Sequence, residues 1–142
     1  MSEQHTRPPG SWVVSVAVAV CGAAMLIFGI WPLLLPRSFA ALIDYPPYNE
    51  HLLHDVGAFQ IGIGAALVAT WFSRDAVTVA LAGFVVGSGL HVVSHIVDQD
   101  RGGHPADPWV LGLLCLIGAL GLGVRLRRHS QREARQGTPT FP

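Results

Sequence analysis

The 142-residue sequence contains no lysine, and charged side chains make up only 13% of it. In a soluble domain about a quarter of the residues are usually charged, so this low charged fraction argues against a soluble domain. Cysteine occurs twice, at Cys21 and Cys115, without a CxxC spacing, which argues against paired-thiol redox chemistry. The formal net charge is zero, and no nucleic-acid partner is expected. Hydrophobic residues instead account for 51% of the chain, which is typical of a protein embedded in a lipid bilayer.

Four continuous apolar segments dominate the sequence, and they cover residues 12–35, 52–72, 76–97 and 108–124. A helix needs about 20 apolar residues to cross a hydrocarbon core of about 30 Å. Inside that core the backbone must satisfy its own hydrogen bonds, which favours helices for continuous runs. The sequence therefore predicts an all-α, integral membrane four-helix bundle within residues 12–126, with the first segment retained as a helix.

The connections between the spans carry turn and capping residues. After the first span, PLLLPRSFAALIDYPPYN is too short and too broken to cross again, so it predicts a short helix at the outer interface. Asn49 is a good N-cap for the second span, and Asp107-Pro108 is a good start for the fourth. The second connection, 73–75, is so short that we expect the second and third spans to form a tight antiparallel pair.

Arginine sets the expected orientation, because cytoplasmic loops carry an excess of positive charge. The arginines on one side of the membrane would be Arg7, Arg74, Arg125, Arg127, Arg128, Arg132 and Arg135, whereas the other side would hold only Arg37 and Arg101. We therefore expect a multi-pass protein of the bacterial cytoplasmic (plasma) membrane with both termini in the cytoplasm. Residues 1–11 would form one tail. Residues 127–142 would form a basic, partly disordered tail that either only marks topology or binds anionic headgroups.

Small residues recur at three- and four-residue steps in every span, and such residues let membrane helices approach closely. In the second span the stripe is His51, Asp55, Ala58, Gly62, Ala65 and Ala69. In the third span it is Ala80, Gly83, Gly87, His91, Ser94 and Asp98, flanked by His95. The first and fourth spans have the shorter stripes Ala17, Cys21, Ala24 and Phe28, and Gly112, Cys115 and Ala119. We expect these stripes to be the packing faces.

Polar side chains extend two of these stripes at one end of the bundle. Because the second and third spans are antiparallel, the start of one and the end of the other lie at the same, outer side. The residues expected to converge there on one pocket are His51, His54, Asp55, His91, His95 and Asp98. Glu50 and His104 are expected nearby, and the expected supporting residues are Gln60, Ser94, Gly62 and Gly87.

Three interpretations of this pocket stay open. Histidines four residues apart can chelate a transition metal, here His91 and His95 with His54 as a further ligand, or histidines from different helices can hold haem. The histidines can instead tie two helices together by hydrogen bonds, or they can handle a small molecule or a proton. There is no HExxH motif, and no nucleophile accompanies the His54-Asp55 pair, so an enzyme is not favoured.

The second and third spans also carry a family resemblance. HDVGAFQIGIGAALVATWF, followed after a short turn by GSGLHVVSHIVDQDRGG, resembles small bacterial four-helix membrane proteins of unknown function and is similar to the DoxX-like group. The resemblance covers about a third of the chain and implies a four-helix architecture. Since some DoxX-like proteins are linked to quinone-coupled sulfur oxidation, it also implies a quinone-linked redox subunit as an alternative. A further alternative is a structural accessory subunit, either in a homo-oligomer or with another membrane protein.

Overall fold

The computed structural model describes residues 11–44 and 46–136, and within these ranges the chain is helical without strands. The helices are α1 (Ser11–Leu34), α2 (Pro36–Ile43), α3 (Glu50–Ala69), α4 (Val77–Val97) and α5 (Asp107–Gln136). One turn of 3₁₀-helix, Arg74–Ala76, joins α3 to α4. Four of these helices, α1, α3, α4 and α5, are long and apolar enough to cross a membrane. The predicted all-helical fold with four candidate spans is confirmed.

The helix boundaries follow the local sequence. The Asn49 side chain accepts a hydrogen bond from the Leu52 amide at 3.1 Å, so it caps α3 as predicted. Asp44 ends α2 in a left-handed conformation with φ of 45°, and its amide donates to the Ala40 carbonyl. A short helix thus does follow the first span, in the predicted place.

Helix α5 extends well beyond the fourth apolar segment. That segment ends near residue 124, and the helix continues to Gln136, so the described part of the basic tail, residues 127–136, is helical. Arginine, glutamine, glutamate and alanine are good helix formers, and they fill this stretch. An ion pair between His129 and Glu133, 3.2 Å apart and four residues along the helix, supports it. The rest of both predicted tails, residues 1–10 and 137–142, lies outside the described residues.

The four long helices pack as two pairs, and each pair consists of spans that follow one another along the chain. Helix α1 packs most extensively on α3, α4 packs on α5, and the two pairs meet mainly through α1 and α5. Helices α3 and α4 touch each other only lightly, so the predicted tight pair of these two helices is wrong. A short connection constrains the ends of two helices, but the shapes of their faces decide how closely they pack along their length.

Glycines at the α1–α3 crossing explain the close approach. A Cβ atom added at Gly57 would lie 2.7 Å from the backbone oxygen of Gly29, and one at Gly64 would lie 2.9 Å from Cγ of Leu26. Neither position has room for a side chain. The adjoining core cluster consists of Val18, Cys21, Leu67, Val77, Leu81 and Phe84.

Most of the stripes predicted to pack in α3 and α4 are exposed instead. The exposed small residues are Ala58, Gly62, Ala65, Ala69, Gly83 and Gly87. Apart from neighbouring atoms of their own helices, no atom lies within 4 Å of the Cβ position at Gly62 or Gly87, so neither glycine packs against another helix of this chain. In α1 the prediction is better, because Ala17 and Cys21 are buried. The packing face of α5 centres on Gly118 and Gly121, which the predicted stripe did not include.

Candidate functional site

The last two turns of α4 bring two histidine rings together. Helical spacing of four residues places His91 and His95 on neighbouring turns of one face. Their Nε2 atoms are 3.1 Å apart, and their ring centroids are 4.8 Å apart. The two side chains thus contact each other, and the pair lies at the end of a candidate membrane span.

The loop after α4 folds back so that a carboxylate reaches this pair. Oδ2 of Asp107, the first residue of α5, lies 3.8 Å from Nδ1 of His95. This is too long for a direct hydrogen bond, although a shift of about 1 Å would form one. The same oxygen accepts a hydrogen bond from the His104 amide at 2.8 Å, which holds the carboxylate in place. The sequence predicted Asp107 only as the start of a helix and missed its contact with His95.

Two glycines give the loop its path. Gly102 and Gly103 have φ angles of 124° and 89°, which residues other than glycine rarely adopt. A Cβ at Gly103 would also lie 3.2 Å from Oδ2 of Asp107, so a side chain there would crowd the carboxylate. The Gly103 amide donates to the Asp44 carbonyl at 3.0 Å, which ties this loop to the end of α2.

A small cleft of about 100 Å³ opens beside the pair. It is lined by His95, Gln99, Gly102, Gly103, His104 and Pro105. The Nδ1 atom of His104 accepts a hydrogen bond from the Ala106 amide at 3.2 Å, which fixes that nitrogen as an acceptor. Nε2 of His95 lies against His91, whereas the cleft opens onto His95 and the loop that follows α4.

A second groove lies at the same end of the molecule, near the end of α2. The guanidinium of Arg37 stacks over the Tyr48 ring at 5.1 Å from its centroid, and the Tyr48 hydroxyl donates to Glu50 at 2.8 Å. The pKa of the Tyr48 phenol is raised above its usual value by desolvation, and then by the hydrogen bond and the charge of Glu50, against a lowering by Arg37. The phenol therefore stays protonated and keeps donating to Glu50 at neutral pH.

The polar residues at the start of α3 form a separate group. His51 lies 3.5 Å from Asp55, and both side chains are well exposed. Within residues 11–44 and 46–136, no hydrogen bond or ion pair joins His51, His54 or Asp55 to the pair on α4. The structure does not bring the six predicted pocket residues together.

Two of the remaining predicted residues, Asp98 and Ser94, have other partners. Asp98 forms an ion pair with Arg101 at 2.8 Å. The Ser94 hydroxyl donates to the His91 carbonyl one turn back at 2.8 Å, so it serves its own helix. Oε1 of Gln60 is buried and has no hydrogen-bond partner among the described residues.

The geometry limits what this group can bind. Two nitrogens on a tetrahedral metal ion with bonds of about 2.0–2.1 Å lie about 3.3 Å apart, close to the separation of the His91 and His95 Nε2 atoms. The described part of the chain has no group of three or more His, Cys, Asp or Glu side chains placed to hold one metal ion. His54, the predicted third ligand, is not part of the pair.

Comparison with known proteins adds no relative. No protein-family model, no curated protein and no solved structure matches this chain. The resemblance to the DoxX-like group stays a prediction.

Proposed function

We propose that this chain is a divalent transition-metal-binding protein of a bacterial cytoplasmic membrane, with His91 and His95 as its two protein ligands. The observation that carries the proposal is the 3.1 Å separation of their Nε2 atoms at the end of α4. Ionisable side chains at the end of a membrane span often mark a functional site. This pair has a spacing that one metal ion can bridge.

The carboxylate behind the pair supports this assignment. A metal-binding histidine commonly donates its other ring N–H to a carboxylate, which fixes the tautomer and makes the ligand more basic. Oδ2 of Asp107 lies 3.8 Å from Nδ1 of His95, and after a small movement it would accept a hydrogen bond from that N–H. The Nε2 lone pair of His95 is then directed at the metal.

Two protein ligands leave the other coordination positions to water or a small molecule. Because the His91 residue is exposed, such a molecule can reach the pair from solvent. A site with this open coordination suits reversible capture and release of an ion rather than permanent structural binding. We therefore propose a binding protein and not an enzyme.

The distribution of charge supports an orientation with both termini in the cytoplasm. Arg74 and Arg125 lie together at the end opposite the histidines, and the arginines of the α5 extension follow them. The positive-inside rule then places the histidine pair at the outer face. Helix α2 would lie at that interface, which fits the exposed Leu35 just before the helix and the exposed Leu42 and Arg37 within it.

Metal titration of the full chain tests the proposal. The protein would carry a tag without histidine, be stripped with a chelator in neutral detergent, and be titrated with Zn²⁺ by calorimetry and with Co²⁺ by visible absorption. We expect one ion per chain. His95→Ala and His91→Ala should each weaken binding at least about 10-fold, and Asp107→Asn about 10- to 100-fold.

His51→Ala is the matched control, because His51 is also part of a four-residue pair but lies on α3. It should leave the affinity unchanged. Absence of binding by the unaltered chain would refute the proposal, and so would equal losses in His51→Ala and His95→Ala.

A reporter fusion tests the orientation separately. An enzyme that is active only outside the cytoplasm, placed after Gln136, should be inactive. The same reporter inserted at Gly103 should be active. The opposite result would place the histidine pair on the cytoplasmic side, without bearing on whether it binds metal.

A further inference from the structure

The end of the bundle opposite the histidines carries several arginines. Arg125 follows Asp107, the start of α5, by 18 residues, which is about 27 Å of helix and close to the thickness of a hydrocarbon core. The Nη2 atom of Arg125 donates to the Arg74 carbonyl at 3.0 Å, so the connection between α3 and α4 lies at the same level.

The guanidinium of Arg125 has donors left over. Its Nε atom is buried, and no described residue accepts a hydrogen bond from it. A buried donor without an acceptor is costly, and the cost is greater for a charged group. A guanidinium presents its donors in a fork that matches two oxygens of a phosphate group.

Further arginines extend the same face of α5. Arg128 and Arg132 follow Arg125 by three and seven residues, which places them on one side of the helix. Arg128 is half-buried and Arg132 is exposed. Within the described residues no carboxylate forms an ion pair with any of these arginines, and the nearby Glu133 lies 3.2 Å from His129 instead. Their charges are therefore available to an anion.

We propose that Arg74, Arg125 and Arg128 form a binding site for one anionic phosphate group at this end of the bundle. Two sources share that chemistry, an anionic phospholipid headgroup and a free phosphate. The site sits where headgroups meet the end of a span, and basic residues near such a surface each add to the attraction. It is separate from the histidine pair and does not depend on metal binding.

The test compares the two sources on the full chain in neutral detergent. Short-chain phosphatidylglycerol, short-chain phosphatidylcholine and inorganic phosphate are each titrated, and binding is followed by thermal unfolding and by native mass spectrometry. We expect phosphatidylglycerol to bind more tightly than phosphatidylcholine. Arg125→Gln and Arg128→Gln should each weaken binding about fivefold, and the binding should fall as salt rises.

The controls are Arg37→Gln and Arg101→Gln, which remove the same charge at the other end and should leave binding unchanged. No hydrogen bond or ion pair of the Arg128 side chain is present among the described residues, so Arg128→Gln tests the site even where Arg125→Gln disturbs the fold. Equal protection by inorganic phosphate supports the site with free phosphate as its source. Absence of binding by both anionic probes would overturn the proposal, as would unchanged binding in Arg128→Gln.

Discussion

Two sets of glycines on the candidate membrane-spanning helices have opposite surroundings. Gly57 and Gly64 of α3 lie against α1, with no room for a Cβ atom. Gly62 of α3 and Gly87 of α4 have no atom within 4 Å of the Cβ position. Gly62 and Gly87 belong to stripes of small residues at three- and four-residue steps, whereas Gly57 and Gly64 are seven residues apart and lie outside the predicted stripe. A stripe of small residues therefore does not by itself show which face of a helix packs, because the partner helix decides it.

The largest effect is expected from Gly57→Leu. The Cβ alone would lie 2.7 Å from the Gly29 oxygen, so α1 and α3 must separate along their crossing. We expect a loss of about 3 kcal/mol or more in the free energy of unfolding, measured by circular dichroism in mixed detergent micelles. The matched control is Gly62→Leu on the same helix, with an expected change within about 0.5 kcal/mol. Equal losses in the two variants would contradict the assigned face of α3.

A somewhat smaller loss is expected from Gly121→Ala. An added Cβ would overlap that of Ala17, where α1 and α5 join the two helix pairs. One methyl group in such a contact costs about 2–3 kcal/mol. Gly123→Ala on the same helix meets open space and serves as the control. If both alanines were tolerated equally, the described contact between α1 and α5 would be incorrect.

Two leucines of α4 test the same difference between a packed and an unpacked helix face. Leu81 is 0% exposed and Leu90 is 66% exposed. Leu81→Ala should cost about 2 kcal/mol through the cavity that it leaves. Leu90→Ala should cost almost nothing, because lipid surrounds that side chain in both the folded and the unfolded inserted states. The same micelle unfolding series measures both values, and a reversed order would mean that the other face of α4 packs.

The smallest effect belongs to Gly87→Ala. The new methyl group contacts nothing, and alanine favours a helix more than glycine does. We expect the free energy of unfolding to stay the same or rise by up to about 0.5 kcal/mol. A clear loss of stability in this variant would mean that another surface covers Gly87 in the native assembly.

The helices were predictable because each apolar run has the length that a helix needs to cross a bilayer. The end of α4 at Val97 and the cap at Asn49 lie where the apolar runs and the capping residues put them. The packing faces were not predictable, since an apolar side chain is equally stable against lipid and against another helix. Leu81 and Leu90 look alike in the sequence although only one is buried.

The candidate site was predictable only in its local part. The spacing of His91 and His95 fixes their contact within one helix. The approach of Asp107 depends on the turn through Gly102 and Gly103, and a pair of glycines does not specify the direction in which the chain returns. The predicted link to His54 and Asp55 failed because it rested on a tight pair of α3 and α4, which the molecule does not form.

The pairing of α1 with α3 and of α4 with α5 has a consequence for the order of assembly. Each pair consists of spans that follow one another along the chain, so each can close as soon as its second helix has been synthesised. The contact between α1 and α5 joins the first and the last span. It forms only after the whole membrane part has been inserted, and the bundle is therefore completed by its final helix.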